Sequence, residues 1–191
     1  MATELATVPA PVRLTIGFAN LVGTELDALV SEDVAVLAPL FAQSRVVPAP
    51  QLPGADILFV YAQLDADGSI VGATRTGIRQ VAQLANAAIV VLASPNTAAS
   101  IKNAASLSGP KTANIVFTLD RNGPDFGKFF CDLFGKMRDG QHMLTAWAAL
   151  APKGPKDSRP SASRMILLAE GGKIAFPRQV QLRQGMPRGS C

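Results

Sequence analysis

Three short, continuous apolar runs constrain the fold of this chain more than any other feature of its sequence. They are Ile57–Tyr61, Ile89–Leu92 and Ile115–Phe117, and none contains a charged residue. Runs of this kind are typical of strands that are covered on both faces, and they are far shorter than the ~18–20 residues that span a bilayer. Segments with helical spacing lie between them, which predicts βαβ units and a parallel sheet.

The remaining segments fit the same architecture. Val12–Phe18 alternates apolar and polar residues, which predicts a first strand. The clearest helix is expected at residues 126–137, where Phe126, Phe129, Phe130, Leu133, Phe134 and Met137 recur at helical spacing. Gly171-Gly172 separates the runs Met165–Leu168 and Lys173–Phe176, which predicts a C-terminal hairpin. The sequence therefore predicts a three-layer α/β/α domain at 12–176 with a mainly parallel sheet, a flexible N-terminus at 1–11 and a flexible basic tail at 177–191.

The positive charge of the chain is placed unevenly. The formal net charge is +4, and the segment after Ala151 carries eight basic and two acidic residues. Its basic residues are spaced and have no aromatic residues between them, so a solvated tail is favoured over a nucleic-acid-binding one. The N-terminal residues lack a signal-peptide pattern, and no apolar run reaches membrane-spanning length. We expect a cytoplasmic protein without membrane contact.

Residues for catalysis are scarce in this sequence. His142 is the single histidine, and the two cysteines, Cys131 and Cys191, have no zinc-site or CxxC spacing. Cys131 is expected inside the Phe-rich helix, where a thiolate is not stabilised. No glycine-rich phosphate-binding motif and no G-x-S-x-G elbow occurs. The sequence predicts no catalytic residue, no metal ligand and no cofactor, and it favours a protein without enzymatic activity.

A candidate binding site is predicted where the strands end, because open α/β sheets bind ligands outside the carboxyl ends of their strands. The polar residues of those loops are Gln63, Asp65, Asp67, Ser94, Asn96, Thr97 and Asp120. Two plainer interpretations stay open. Asn96 or Thr97 suits the N-cap of a following helix, and Asp65 with Asp67 suits a simple turn, since the glycine and glutamate of a calcium loop are missing.

The arrangement from about Ala55 to Leu150 resembles the CHAT domain, a caspase-like peptidase relative common in bacteria. The resemblance rests on the segments 55–63, 89–95, 115–120 and 126–137, on Gly140 and on 146–149. It implies a caspase-like fold. Where that family places its histidine, this chain has Gln63 or a neighbour, and where the family places its cysteine it has Pro95 or Ser94. Glutamine is no general base and proline no nucleophile, so the resemblance implies an inactive relative.

Two functions follow as hypotheses. The first is a non-catalytic, caspase-like interaction or regulatory domain that binds a protein partner or self-assembles, with the tail and the Pro-rich segment Pro48–Pro53 as contact surfaces. The second is a small-molecule or nucleotide-binding α/β enzyme that uses the strand-end loops.

Overall fold

The computed structural model describes residues 12–48, 50–73, 76–151 and 163–177. These residues form a six-stranded sheet with the spatial order β2-β1-β3-β4-β5-β6. The first five strands are parallel, and β6 runs antiparallel to β5. The strands are β1 (Val12–Asn20), β2 (Phe41–Val47), β3 (Ile57–Tyr61), β4 (Ile89–Leu92), β5 (Asn114–Asp120) and β6 (Arg164–Ala169).

Five α-helices in the described ranges cover the two faces of this sheet. They are α1 (Asp27–Leu37), α2 (Ile78–Ala85), α3 (Ala98–Ser106), α4 (Gly123–Arg138) and α5 (Met143–Leu150). Buried residues of α1, α4 and α5 pack with one set of strand side chains, and those of α2 and α3 pack with the other set. The predicted three-layer α/β/α fold with a mainly parallel sheet is confirmed. None of these helices is long and apolar enough to cross a bilayer.

An aromatic layer fills the first face. Phe126, Phe130 and Phe134 of α4 are buried, and their ring centroids lie 6.4, 5.1 and 6.4 Å from that of Phe59, which lies in the middle of β3. Phe129 lies beside them and packs edge-to-face on Trp147 of α5. The Phe-rich helix predicted from the sequence is confirmed, and it is the main cover of this face.

Smaller side chains fill the second face. Ile78, Val81, Ala82 and Ala85 of α2 are buried there, at the i, i+3, i+4 and i+7 positions of one helical stripe. The i+3 spacing of Leu84 from Val81 also predicts a position on this stripe, but Leu84 is 73% exposed. That prediction is wrong because Leu84 lies about 100° around the helix from Ala85, which faces the sheet.

A connector without a helix joins β2 to β3 and crosses the second face over β1. Pro53 is buried there, and a methyl group at Gly17 of β1 would lie only 2.8 Å from the Pro53 ring. Glycine is therefore required at position 17 for this close approach. The connector occupies the place where a doubly wound fold usually has a helix, and it leaves part of this face thinly covered.

The antiparallel C-terminal pair exists, but its strands differ from those expected. β6 pairs with β5, whereas residues 173–177 form no strand. The backbone N–H of Met143 donates to the carbonyl of Ile174, and Phe176 packs on Phe41 and Phe134, so this segment covers the base of the core. β2 was not expected at all. The predicted flexible segments, 1–11 and all of 177–191 except Pro177, lie outside the described residues.

Candidate functional site

The carboxyl ends of the parallel strands meet at one edge of the sheet, and the candidate residues lie in the loops that leave this edge. In the order β2-β1-β3-β4-β5, the chain reverses its winding direction between β1 and β3. Ligands of open α/β sheets bind in the crevice at such a reversal. A ligand site is therefore expected at the edge beside β1 and β3.

Ser94 and Asn96 tie two of these loops together. The Ser94 hydroxyl is buried, accepts a hydrogen bond from the Ala62 N–H at 3.0 Å and donates to the Ala62 carbonyl. Asn96 accepts from the Leu64 N–H at 2.7 Å through its side-chain oxygen. Its amide nitrogen donates to the carbonyls of Ala62 and Ser94. Both side chains are occupied by the backbone of their own and the adjacent loop.

Asp65 and Asp67 belong to a tight turn after β3. The Asp65 carbonyl accepts from the Gly68 N–H, and the Asp67 carboxylate accepts from the N–H and the hydroxyl of Ser69 at 2.9 and 2.6 Å. These Ser69 hydrogen bonds lower the pKa of Asp67 below its ordinary value. Gly68 has φ +88° and lies against the backbone of α3, which permits no side chain. The geometry is that of a simple turn.

The other predicted residues lie apart from one another. Thr97 is the N-cap of α3, and its hydroxyl accepts from the Ser100 N–H at 3.1 Å, so the capping role is confirmed. The Gln63 side chain is exposed beside the turn. Asp120 is exposed at the end of β5 and pairs with Arg164 of β6 at 3.3 Å. Of the predicted site residues, only Ser94 and Asn96 form side-chain hydrogen bonds to the backbone of the adjacent loop after β3.

A buried polar cluster that sequence reasoning missed lies beneath this edge. Arg121 follows β5 and donates to both carboxylate oxygens of Asp33, at 2.7 and 3.0 Å. The Tyr61 hydroxyl at the end of β3 donates to the same carboxylate at 2.6 Å. The Arg121 guanidinium also lies 3.9 Å above the ring of Phe126. The side chains of Arg121 and Asp33 are only 2% and 1% exposed.

The chemistry of this cluster is that of an internal ion pair. Burial raises the pKa of Asp33, and the hydrogen bond from Arg121 opposes that rise. Burial also raises the pKa of Tyr61 well above its ordinary value, and the neighbouring Asp33 carboxylate adds to the effect. The Tyr61 hydroxyl, the Asp33 carboxylate and the Arg121 guanidinium are buried and bonded to one another, so none of them is an accessible base or nucleophile. One sequence signal was available, because Asp33 shares the buried stripe of α1 with Val30 and Leu37.

An apolar groove of about 210 Å³ opens at the reversal point, next to the connector. Among the described side chains that line it, the Thr76 hydroxyl is the polar group and none is charged. The described lining residues are Leu21, Pro50, Leu52, Ile70, Val71, Gly72, Ala73, Thr76 and Val81. These residues suit an apolar group.

Cys131 and His142 do not form a nucleophile pair. Cys131 lies half-buried on α4, where its thiol approaches the carbonyl of Val36 and burial raises its pKa. His142 is exposed at the N-cap position of α5 and makes no side-chain capping bond. Across the described ranges, no group of three or more His, Cys, Asp and Glu side chains is arranged to hold a metal ion.

Comparison of the sequence with protein-family models and with curated proteins finds no match.

Proposed function

We propose that this chain is a non-catalytic α/β interaction domain that binds a protein partner or a second copy of itself. The observation that carries the proposal is that the buried polar side chains at the carboxyl edge of the sheet, Ser94, Asn96 and Asp33, are bonded within the chain. Ser94 and Asn96 bind neighbouring loop backbone, and Asp33 is saturated by Arg121 and Tyr61. Enzymes of this architecture place their reactive groups at this edge.

The resemblance to the CHAT domain fits this proposal. Under that interpretation the chain is an inactive relative, and two geometric features support the inactive state. The family histidine corresponds to Gln63 or a neighbour, and the Gln63 side chain is exposed and cannot act as a base. The family cysteine corresponds to Pro95 or Ser94, and the Ser94 hydroxyl is buried in hydrogen bonds to Ala62. No activated nucleophile faces the solvent there.

Two measurements on the full chain test the proposed function together. Sedimentation over a wide concentration range is expected to reveal self-association, or a defined complex when a partner is present. Thermal shift with nucleotides, sugar phosphates and divalent ions is expected to give no change in Tm, because a native-state ligand would raise it by mass action. A saturable rise in Tm with one of these ligands would contradict the proposal. A variant that lacks residues 177–191 shows whether the basic tail takes part in the assembly.

The apolar groove supports a second candidate function, the binding of a small apolar ligand at the reversal point. Its volume accommodates only part of a drug-sized molecule, and its lining favours hydrocarbon over phosphate. Replacement of Ala73 by Trp would fill the groove. If the groove binds such ligands, fatty acids or aromatic alcohols should raise the Tm of the natural chain and leave that of the Ala73→Trp variant unchanged.

A further inference from the structure

β2 is an open edge of the sheet. It pairs with β1 on one side, and no strand of the described chain lies along its other side. Residues 42–46 are exposed in succession, and Val46 is 54% exposed. Proteins usually protect such an edge with lysine, proline or a covering element. β2 contains neither lysine nor proline, and the guanidinium of Arg45 is turned to the carbonyl of Gly54 in its own connector.

The pairing of β1 determines which backbone groups of β2 are free. The Thr15 carbonyl accepts from the Asp56 N–H, and the Leu21 N–H donates to the Tyr61 carbonyl. These odd-numbered positions of β1 therefore bond towards β3. Because backbone groups alternate along a strand, the even-numbered positions, Ile16 and Phe18, bond towards β2.

The register then identifies the outward-facing residues of β2. Ile16 lies opposite Ser44, and Phe18 lies opposite Val46. In a parallel ladder a residue bonds to the two residues that flank its partner, so Gln43, Arg45 and Val47 face β1. Ser44 and Val46 consequently present their N–H and carbonyl groups to the outside. The register between β1 and β2 is irregular beside Ala42, so the regular outward row consists of Ser44 and Val46.

The outward row suits pairing with a second copy in a register centred on Ser44. A two-fold axis pairs identical edge strands antiparallel. Centred on Ser44, the pairing sets Ser44 against its copy, Ala42 against Val46, and Arg45 against the neutral Gln43. Centring on Arg45 would oppose two like charges, and centring on Val46 would bring Pro48, which has no N–H, opposite the Ser44 carbonyl. The charge and backbone pattern of the strand thus match a second copy in the Ser44-centred register.

We propose that two copies of this chain associate through antiparallel β2–β2 pairing centred on Ser44, which joins their sheets into one. The proposal rests on the interaction function above and names the partner and the surface. Replacement Ser44→Pro blocks the pairing, because it removes an outward N–H and no bond to β1. Ser44→Thr keeps the N–H and is the matched control.

Sedimentation equilibrium of the full chain tests the pairing. The natural chain and Ser44→Thr should dimerise with similar Kd, and Ser44→Pro should stay monomeric with an unchanged circular dichroism spectrum. Gln43→Glu, which places a carboxylate opposite each Arg45, should tighten the dimer about 2- to 30-fold, and Gln43→Lys should weaken it. Ile166→Lys on the opposite edge strand, where the side chain is 43% exposed, should have no effect.

Two results would overturn the pairing, and they bear differently on the proposed function. If the natural chain dimerises but neither Ser44→Pro nor the Gln43 variants alter Kd, self-association stands and this surface is excluded. If the natural chain stays monomeric throughout, the β2 pairing is excluded and the interaction function then requires a different protein. Should Ser44→Pro fail to fold, the opposed effects of Gln43→Glu and Gln43→Lys decide the matter.

Discussion

The two ends of β5 each carry a buried arginine ion pair, and the two pairs differ in kind. At the carboxyl end, Arg121 and Asp33 are both almost completely buried, with side chains 2% and 1% exposed. Near the amino end, Arg79 is 4% exposed, but its partner Glu170 is 11% exposed. Arg79 also donates to the carbonyls of Ala104, Ala105 and Leu107 at the end of α3.

The difference shows that two similar ion pairs can stabilise the fold in different ways. Arg121 neutralises the buried Asp33 carboxylate, and it also donates to the Ala93 carbonyl at 3.3 Å and lies 3.7 Å from the Glu32 carboxylate, so its main contribution is to compensate negative charge. Arg79 mainly donates hydrogen bonds to the carbonyls at the C-terminus of α3. It also binds the partly exposed Glu170 carboxylate, which could bond to water instead. Neither arrangement leaves a charged group free for catalysis.

Removal of Arg121 should have the largest effect. Arg121→Met leaves the Asp33 carboxylate buried with Tyr61 as its donor, and we expect a loss of about 3–5 kcal/mol in the free energy of unfolding, measured by urea denaturation. The double variant Asp33→Leu/Arg121→Met is the control and should recover part of that loss, since the unpaired charge is gone but the buried Tyr61 hydroxyl loses its acceptor. A loss below about 1 kcal/mol in the single variant would show that water reaches Asp33.

Removal of Arg79 should cost less. Arg79→Met is expected to lower the free energy of unfolding by about 2–3 kcal/mol, because the α3 carbonyls lose their donor while Glu170 can turn to water. Glu170→Gln keeps an acceptor for Arg79 and should cost about half as much under the same denaturation assay. Equal losses for Arg79→Met and Arg121→Met would remove the distinction between the two ends.

The contributions of Glu170 and Asp33 to the free energy of unfolding should change with pH in opposite directions. The hydrogen bond from Arg79 lowers the pKa of Glu170 below 4.5, so its contribution to stability is complete above that value and is lost as the pH falls through the lowered pKa. Burial raises the pKa of Asp33 above 3.8, so its contribution is complete below that value and is lost as the pH rises through the raised pKa. The measurement is the free energy of unfolding of the natural chain, Glu170→Gln and Asp33→Asn over this acid range. As the pH rises, the advantage of the natural chain over Glu170→Gln should grow, and its advantage over Asp33→Asn should shrink. Parallel curves would contradict the assignment.

The smallest effect is expected from Lys111, which approaches Glu170 at 3.9 Å with its side chain 72% exposed. Lys111→Ala should change the free energy of unfolding by less than about 0.5 kcal/mol, because exposed ion pairs contribute little. Arg164→Ala, which breaks the exposed pair with Asp120, is a matched comparison and should behave alike. A larger loss for Lys111→Ala would show that Arg79, Glu170 and Lys111 act together as one ion-pair network.

Sequence patterns predicted the sheet core because burial on both faces leaves a direct mark on composition. They missed β2, since its apolar and polar residues neither alternate cleanly nor form a run, and since Pro39 and Pro48 on either side suggested irregular chain. Propensity is a weak guide for an edge strand, whose residues are mostly exposed.

The candidate site was less accessible from sequence. The loops were placed correctly, but the partners of Ser94 and Asn96 are backbone atoms more than thirty positions earlier, which no local pattern reveals. Arg121 and Asp33 are 88 positions apart, and charged residues are usually expected at the surface. The spacing of Asp33 with Val30 and Leu37 on one helical stripe was the one readable sign of a buried charge.

The contact of Gly17 with Pro53 also limits how the chain can change. A side chain at position 17 would meet Pro53 at 2.8 Å and Ala55 at 2.9 Å, so even alanine must displace one of them. Mutational tolerance in the middle of β1 is therefore set by a connector more than thirty residues away, and variation at 17, 53 and 55 is expected to be correlated. Because the connector packs directly on β1, fewer residue types are tolerated in the strand beneath it than beneath a helix.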